Sequence, residues 1–465
     1  MVGGGPNGLA AAIVLARAGR SVHLYEAADT VGGGSRSAEL TLPGFVHDPC
    51  SAVHPLALAS PFFGSLDLAR HGLSWVQPEA PVAHALAPGK SVVLERDLGA
   101  LKEALGADAE TWVRLFGRLA REHDRILPAL LAPVVRAPRH PLLMARFGVP
   151  AALPATALAR LAFRGPEARA LFAGMAAHSM VRLDRPLTAS FGLVLGLLAH
   201  AVGWPLAHGG SGAVSAALEA EARSLGVEIE TGHRVRSLDD LPPARSTLLD
   251  LTPRQVLEVA GDRLPGDYRR ALGRYRYGPG VFKVDWALDG PIPWSDPRTA
   301  RAATVHIGGP LREVAAAEDA VARGRVADRP FVLLVQPTVA DPTRAPAGKH
   351  VAWAYCHVPN GSTVDMTAAI EARVEQFAPG FRDLVLARHA RGAPAMEAYD
   401  ANYVGGDING GIGDVRQLLF RPVVRWNPYT TPNPSLYLCS SSTPPGGGVH
   451  GMCGALAARE VLRRG

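Results

Sequence analysis

The stretch "MVGGGPNGLAAAIVLARAGRSVHLYEAADTVGGGSR", residues 1–36, decides the fold. Gly3, Gly5 and Gly8 form a G-x-G-x-x-G run. In such a run one glycine makes the tight turn, one lets backbone approach a pyrophosphate, and one lets helix and strand pack closely. "GLAAAIVLARAG" reads as a helix of small and apolar residues stopped by Gly19, and its N-terminus would present free amides to a phosphate. "VHLY" reads as the next strand. Glu26 stands 21 residues after Gly5, where an acid accepts hydrogen bonds from a ribose. Together these features predict a dinucleotide-binding βαβ unit.

The residues after Glu26 select the dinucleotide. A nicotinamide domain would continue with further βαβ units, whereas Gly32 and Gly33 come six and seven residues later and offer a second close backbone approach. That favours FAD. A buried strand would supply several apolar residues before the first glycine, and only Met1 and Val2 stand there; the expectation is that an upstream apolar strand completes the sheet.

"LYLCSSSTPPGGGVHGMCGALAARE", residues 436–460, repeats the logic: strand, glycine-rich loop, helix. Pro445, Gly446, Gly447, Gly448 and Val449 would offer backbone amides to a ribityl chain or a flavin carbonyl. Between the two motifs, residues 98–200 carry helical spacing, for example Leu101, Leu105, Trp112, Leu115 and Leu119. A helix is expected from about Ala213 to Gly226, then "VEIETGHRVRSL" as a pair of short strands. "GVFKVDWALDG", "ATVHIGG", "PFVLLVQPT" and "HVAWAYCHVP" read as strands of an antiparallel sheet, followed by a helix over 367–380.

Composition sets limits. Of 465 residues 48% are hydrophobic and 19% charged, which suits a large buried core in two domains and excludes disorder. The formal net charge of +6 is spread over 48 basic and 42 acidic residues, without a basic block interleaved with aromatics, so a nucleic-acid partner is not expected. Cys50, Cys356, Cys439 and Cys453 form no C-x-x-C pair, and no histidine cluster has metal spacing; buried thiols and no metal are expected. The glycine motif begins where a secretory leader would lie, so a cytoplasmic location is expected. "LTASFGLVLGLLAHAVGW" (187–204) is broken by Thr188, Ser190 and His200 and reads as a buried helix rather than a membrane span. Arg136, Arg139, Arg146, Arg160 and Arg164 lie among apolar residues from Leu127 on; with Pro133, Pro138, Pro141, Pro150 and Pro154 breaking the run, this reads as solvated helix faces over a core, with peripheral contact with a membrane as the alternative.

On these motifs, with "LPGFVHDPCSAVHP", "GWPLAHGGSGAVSAAL", "FKVDWALDGPIPW" and "RQLLFRPVVRWNPYTTPNPSLYLCSSSTPPGGGVHGM", the chain resembles the phytoene desaturase-like branch of the FAD-dependent amine oxidase superfamily over almost its full length. More closely it is similar to the pyridine nucleotide-disulfide oxidoreductase domain 2-like proteins. The resemblance implies an α/β fold: an FAD-binding Rossmann-like domain of the glutathione reductase type with a second α+β substrate domain of mixed or antiparallel sheet and helices. The FAD-binding parts would be residues 1–75, 201–260 and 401–465; the substrate parts would be 76–200, helical, and 261–400, sheet. It implies that Gly3, Gly5, Gly8, Glu26, Gly32, Gly33 and Arg36 hold the ADP half, that Val235 meets adenine, and that Gly446 to Val449 lie under the flavin. Two departures stand out: Gly34 follows the glycine pair where relatives carry Arg, and Ser440-Ser441 replaces Gly-Asp or Gly-Ala.

The implied activity is hydride transfer between flavin N5 and an apolar, polyene or lipid-like substrate. An amine oxidase-type enzyme and an FAD-stabilised scaffold with little turnover are the alternatives. A flavin supplies its own redox chemistry, so no nucleophile is required. Lys283, His450 and His54 are the side chains weighed as helpers. Lys283 reads more readily as a solvated strand lysine and His450 as a loop-stabilising imidazole, and no catalytic residue is assigned.

Overall fold

A computed structural model describes residues 1–134 and 137–465; Arg136 therefore lies outside the described residues. Two sheets organise the chain. The first is parallel. Strand His23–Tyr25 pairs with Glu228–Glu230, and Leu436–Leu438 pairs with Thr247–Leu249. Val2 bridges the two pairs, making parallel bridges to both Tyr25 and Leu249. The residues ahead of the glycines thus supply one central rung of sheet. Val2 N–H donates to Leu248 O at 3.0 Å, Asp250 N–H donates to Val2 O at 2.8 Å, and Gly3 N–H donates to Tyr25 O at 2.8 Å.

Helices Pro6–Arg17, Gly212–Ser224 and Met452–Arg464 pack together over this sheet. Small residues make the contact possible. Gly8 is so close to the turn before it that a Cβ would stand 2.0 Å from Gly3 O, and a Cβ on Gly454 would stand 1.7 Å from Asn7 O.

The second sheet has seven strands in the order Val385–Arg391, Gly280–Leu288, His350–Val358, Val332–Val335, Ala302–Ile307, Ala80–Ala87, Lys90–Leu94. All neighbours are antiparallel except Ala80–Ala87 with Ala302–Ile307. The helix Thr367–Phe377 buries Ile370, Val374 and Phe377 on one face. Helices Ala109–Arg121, Ala155–Ala162, Pro166–Ala177 and Thr188–Ala201 cover the other, with Trp112, Phe116, Phe163 and Phe172 fully buried between them.

Three expectations are corrected. Residues 80–94 are a hairpin of the sheet, not part of a helical region. The run "APVAHALA" is buried on both faces except at its last residue, so it shows no alternation to mark it as a strand. Only Glu228–Glu230 of "VEIETGHRVRSL" forms a strand. Ser237 and Asp240 instead cap a short 3₁₀ turn, Asp240 accepting the Arg236 and Ser237 amides at 2.8 and 2.9 Å. Lys283 is buried, not solvated. The helix Thr188–Ala201 is short and mostly buried, and among the described residues no single helix is long and apolar enough to cross a membrane.

Candidate functional site

The parallel sheet brings the two glycine loops side by side. Helix Pro6–Arg17 begins directly after Gly5, with Pro6 at its first turn, where the missing N–H removes no intrahelical bond. The loop after Glu26 folds back over it: Gly32 N–H donates to Gly4 O at 2.8 Å, and a Cβ on Gly33 would lie 3.3 Å from Gly5 Cα. Gly32 and Gly33 have φ of 122° and 52°, conformations that glycine adopts freely. At the other end Gly446 and Gly448 have φ of 114° and 120°. A Cβ on Gly447 would meet Asn409 O at 2.9 Å.

Both loops open into one cavity of about 2130 Å3. A pocket for one drug-sized ligand holds roughly 300–1,000 Å3, so this cavity has room for a dinucleotide and a second molecule. Of the residues selected from sequence, Gly5, Gly33, Pro445, Gly447, Gly448 and Val449 line it. Gly3, Gly8, Gly32 and Gly446 stand behind that wall.

Glu26, Arg36 and Val235 are also outside the lining. Glu26 accepts the Gly4 amide at 2.7 Å and the Ala28 amide at 2.9 Å, and its carboxylate lies 3.4 Å from the Arg36 guanidinium. Arg36 also donates to Thr30 O at 2.6 Å and Val31 O at 3.1 Å, which ties down the loop leading to Gly32. Val235 is packed in a core with Val2, Tyr25 and Leu249.

Several lining residues carry no sequence motif. Asp250, just past strand Thr247–Leu249, accepts the Gly8 amide at 2.8 Å on Oδ2. Burial pushes its carboxyl up to about 8, against the pull of the Gly8 hydrogen bond and helped by Asp400 and Glu26. Burial raises Asp400 as well. Asn402 holds Asp250 in place, donating to Asp250 O at 3.1 Å. A strand end beside the first glycine is the signal that locates Asp250. Asp400 and Asn402 come from a loop that only the tertiary structure brings here.

The wall fits a dinucleotide. Gly5 and Gly33 leave it without side chains, so backbone can approach closely, and the buried Asn7 Oδ1 on the same wall is an acceptor without a partner among the described residues, suited to a ligand hydroxyl. Burial, which raises the Asp250 carboxyl to about 8, disfavours a negative charge on this wall.

Of the three helper side chains, two line the cavity and one stands behind it. His450 accepts the Met452 amide on Nδ1 at 3.0 Å, so its Nε2–H donates to Gly446 O at 3.1 Å. Both ring nitrogens are used, and burial pushes the imidazole down to about 4; it is a neutral staple of the loop 445–449. His54 lines the cavity, bonds Ser211 Oγ at 2.8 Å and is pushed down to about 4 by burial. Lys283 pairs with Asp285 and lies 4.8 Å over the Trp353 ring, behind the cavity wall. Ser440, at the departure from the Gly-Asp or Gly-Ala pattern, donates to Leu251 O at 2.8 Å, and Arg421 holds Ser441 O at 3.1 Å. All four cysteines are free; three are buried, and Cys50 is half-buried at the cavity.

Comparison with known proteins agrees with this geometry. Residues 1–57 match the model of the NAD(P)-binding Rossmann-like domain family. The pyridine nucleotide-disulfide oxidoreductase domain-containing protein 2 of Rattus norvegicus is 28% identical over an alignment of 554 residues, covering 100% of this chain and 93% of that protein. Among solved structures, an oxidoreductase from Methanosarcina mazei superposes with a TM-score of 0.68 at 16% identity, covering 99% of each chain. Putrescine oxidase bound to putrescine gives 0.62 at 17% identity, covering 100% of this chain and 98% of that one. Over its whole length the chain is thus similar to the pyridine nucleotide-disulfide oxidoreductase domain-containing protein 2 polypeptides, and it shares its fold with putrescine oxidase.

Proposed function

We propose that the protein binds FAD and exchanges a hydride between the flavin and an apolar substrate. The observation that carries this reading is the single cavity joining the two glycine loops to the inner face of the seven-stranded sheet. When bound, the flavin supplies the redox chemistry at N5. Gly5, Gly33 and the first turn of helix Pro6–Arg17 would hold the pyrophosphate, and the loop 445–449 would hold the flavin end. His450 keeps that loop in shape. Leu333, Val335, Phe191, Val194, Leu195 and Trp204 line the remaining volume and exclude water from a bound apolar molecule.

The acids that line the cavity support an apolar substrate over an amine. Asp250 and Asp400 belong to the nucleotide end, while Asp124 and Glu460 come from helices His123–Leu130 and Met452–Arg464. Among the described residues a cationic amine would find no carboxylate along the sheet wall. The test is direct. Purified protein should carry a visible flavin absorption that is bleached anaerobically by an apolar substrate and restored by an electron acceptor. A colourless protein that cannot be reconstituted with FAD, or a flavin reduced by amines alone, would overturn the reading.

The exposed residues lining the open side of the cavity support delivery of such a substrate from an anionic lipid surface. Arg139, Arg425, Arg459 and Arg463 stand there with Trp426, which is 95% exposed. Cosedimentation with vesicles containing phosphatidylglycerol, lost in Trp426→Ala or in pure phosphatidylcholine, is the expected result. Equal binding to both vesicle types would count against it.

A further inference from the structure

The sheet wall of the cavity has a regular chemistry set by strand register. Thr304, Val335 and Trp353 are cross-strand partners in one row, and His306, Leu333 and Tyr355 in the next. Continuing the rows, Trp353 pairs with Asp285 and Tyr355 with Lys283. The charged pair Lys283 and Asp285 is fully buried and lies outside the cavity lining, whereas Thr304, Trp353 and Tyr355 line it. Every polar side chain that this wall offers the cavity is therefore uncharged.

Tyr355 stands out within its strand. Along His350–Val358 every residue after the first is buried except Tyr355, because its neighbour on that side is the cavity and not a side chain. Its ring stacks on Trp353 at 6.0 Å and 11°. Its hydroxyl makes no hydrogen bond among the described residues, and burial raises it further above its ordinary value, so it remains a donor. Close by, Trp353 Nε1 and Thr304 Oγ1 are also without hydrogen-bond partners among the described residues. His178, across the cavity lining, bonds His306 at 2.9 Å between their Nε2 atoms and is pushed down to about 3, chiefly by burial, so it is neutral. Polar groups in an apolar wall that find no protein partner are partners in waiting for a ligand or a water.

We propose that Tyr355 donates a hydrogen bond to an uncharged oxygen of an otherwise apolar substrate, making the substrate class a neutral ketone, aldehyde or alcohol and not an amine or a carboxylate. A carboxylate or ammonium would have to shed its hydration against a wall with no opposite charge, whereas a neutral oxygen gives up little and gains a donor. The inference rests on the cavity being the substrate site of the proposed function.

The test uses four probes of one shape, butylbenzene, butyrophenone, phenylbutyrate and phenylbutylammonium, titrated calorimetrically into the purified protein and into Tyr355→Phe. Butyrophenone should bind most tightly. Tyr355→Phe should weaken it about tenfold, the equivalent of one net hydrogen bond of about 1.4 kcal/mol, and should leave butylbenzene within about twofold. Tighter binding of either charged probe overturns the proposal. So does an equal loss for butyrophenone and butylbenzene, which would make Tyr355 a packing residue only, or no loss for butyrophenone, which would mean that the hydroxyl serves water. Absence of binding by all four overturns it too. The visible absorption of the same sample reports the flavin separately: a colourless protein that ranks the probes as stated refutes the cofactor assignment and leaves the subsite standing.

Discussion

The Asp250 carboxyl accepts the amide of Gly8, 2.8 Å away, in the first turn of helix Pro6–Arg17. Burial holds its proton up to about 8, against 3.8 in an open chain. Between those values the folded protein keeps a proton that the unfolded chain has released, so folding stability falls as pH rises through that window and levels off above it. The slope from this group is about 1.4 kcal/mol per pH unit. Asp250→Asn should remove that slope, so denaturant midpoints of variant and parent should diverge in favour of the variant as pH rises from about 5 to about 8. Parallel curves would refute the assignment.

Cofactor retention should depend on the contact between the outer helices. Gly454→Ala places a methyl 1.7 Å from Asn7 O, and backbone must move to admit it. Overpacking of this kind costs about 1–3 kcal/mol or more. The variant is expected to unfold at lower denaturant and to bind its nucleotide less tightly, while Gly261→Ala, at a right-handed helical position with open space around it, should leave both unchanged. Equal retention by both variants would sink this prediction.

His450→Ala should loosen the loop 445–449 by stranding the Met452 amide and the Gly446 carbonyl, at about 1 kcal/mol for each bond. Weaker flavin binding is expected. Because burial holds the imidazole near 4, the parent enzyme should show no inflection in its pH–rate profile from this residue near its ordinary value of about 6.5. An inflection there that disappears in the variant would make His450 an acid–base group.

A buried ion pair ties the loop after the nucleotide site to the sheet domain. Arg344 and Asp48, both essentially unexposed, meet at 2.8 Å, and Asp48 also accepts from Ser37 Oγ at 2.7 Å and the Ser211 amide at 2.8 Å. Arg344→Met leaves that carboxylate buried without its cation and should destabilise the protein by about 3–5 kcal/mol. Asp48→Asn combined with Arg344→Met should recover part of the loss. Thermal unfolding measures both, and an unaffected single variant would contradict the argument.

The nucleotide half was legible because its residues answer to backbone demands. Turns that favour glycine, a helix of small and apolar residues and a short strand leave marks at fixed spacing, and Gly3, Gly32, Gly33, Gly446 and Gly448 take the positive φ such turns use. The hairpin 80–94 was not legible, because burial on both faces removes the alternation that identifies a strand. Lys283 departs from its expectation for a different reason: a lysine in an alternating run is ordinarily solvated, whereas Asp285, two residues on along the same face, and the Trp353 ring give this one partners inside. Asp400 and Asn402 leave no trace in sequence, since their role comes from a loop folded over residues 150 positions away, such as Asp250 and Thr252.

Gly454 against Asn7 also has a meaning for synthesis. The first cradle strand and helix leave the ribosome early, yet the helix that closes on them is specified more than 400 residues later. The nascent chain must carry an open parallel sheet and an exposed alanine-rich helix face until that partner arrives, an interval in which unpaired surface invites misassembly. The contact is therefore completed only once residues 452–464 have been made, after all the strands of the seven-stranded sheet, which lie between residues 80 and 391.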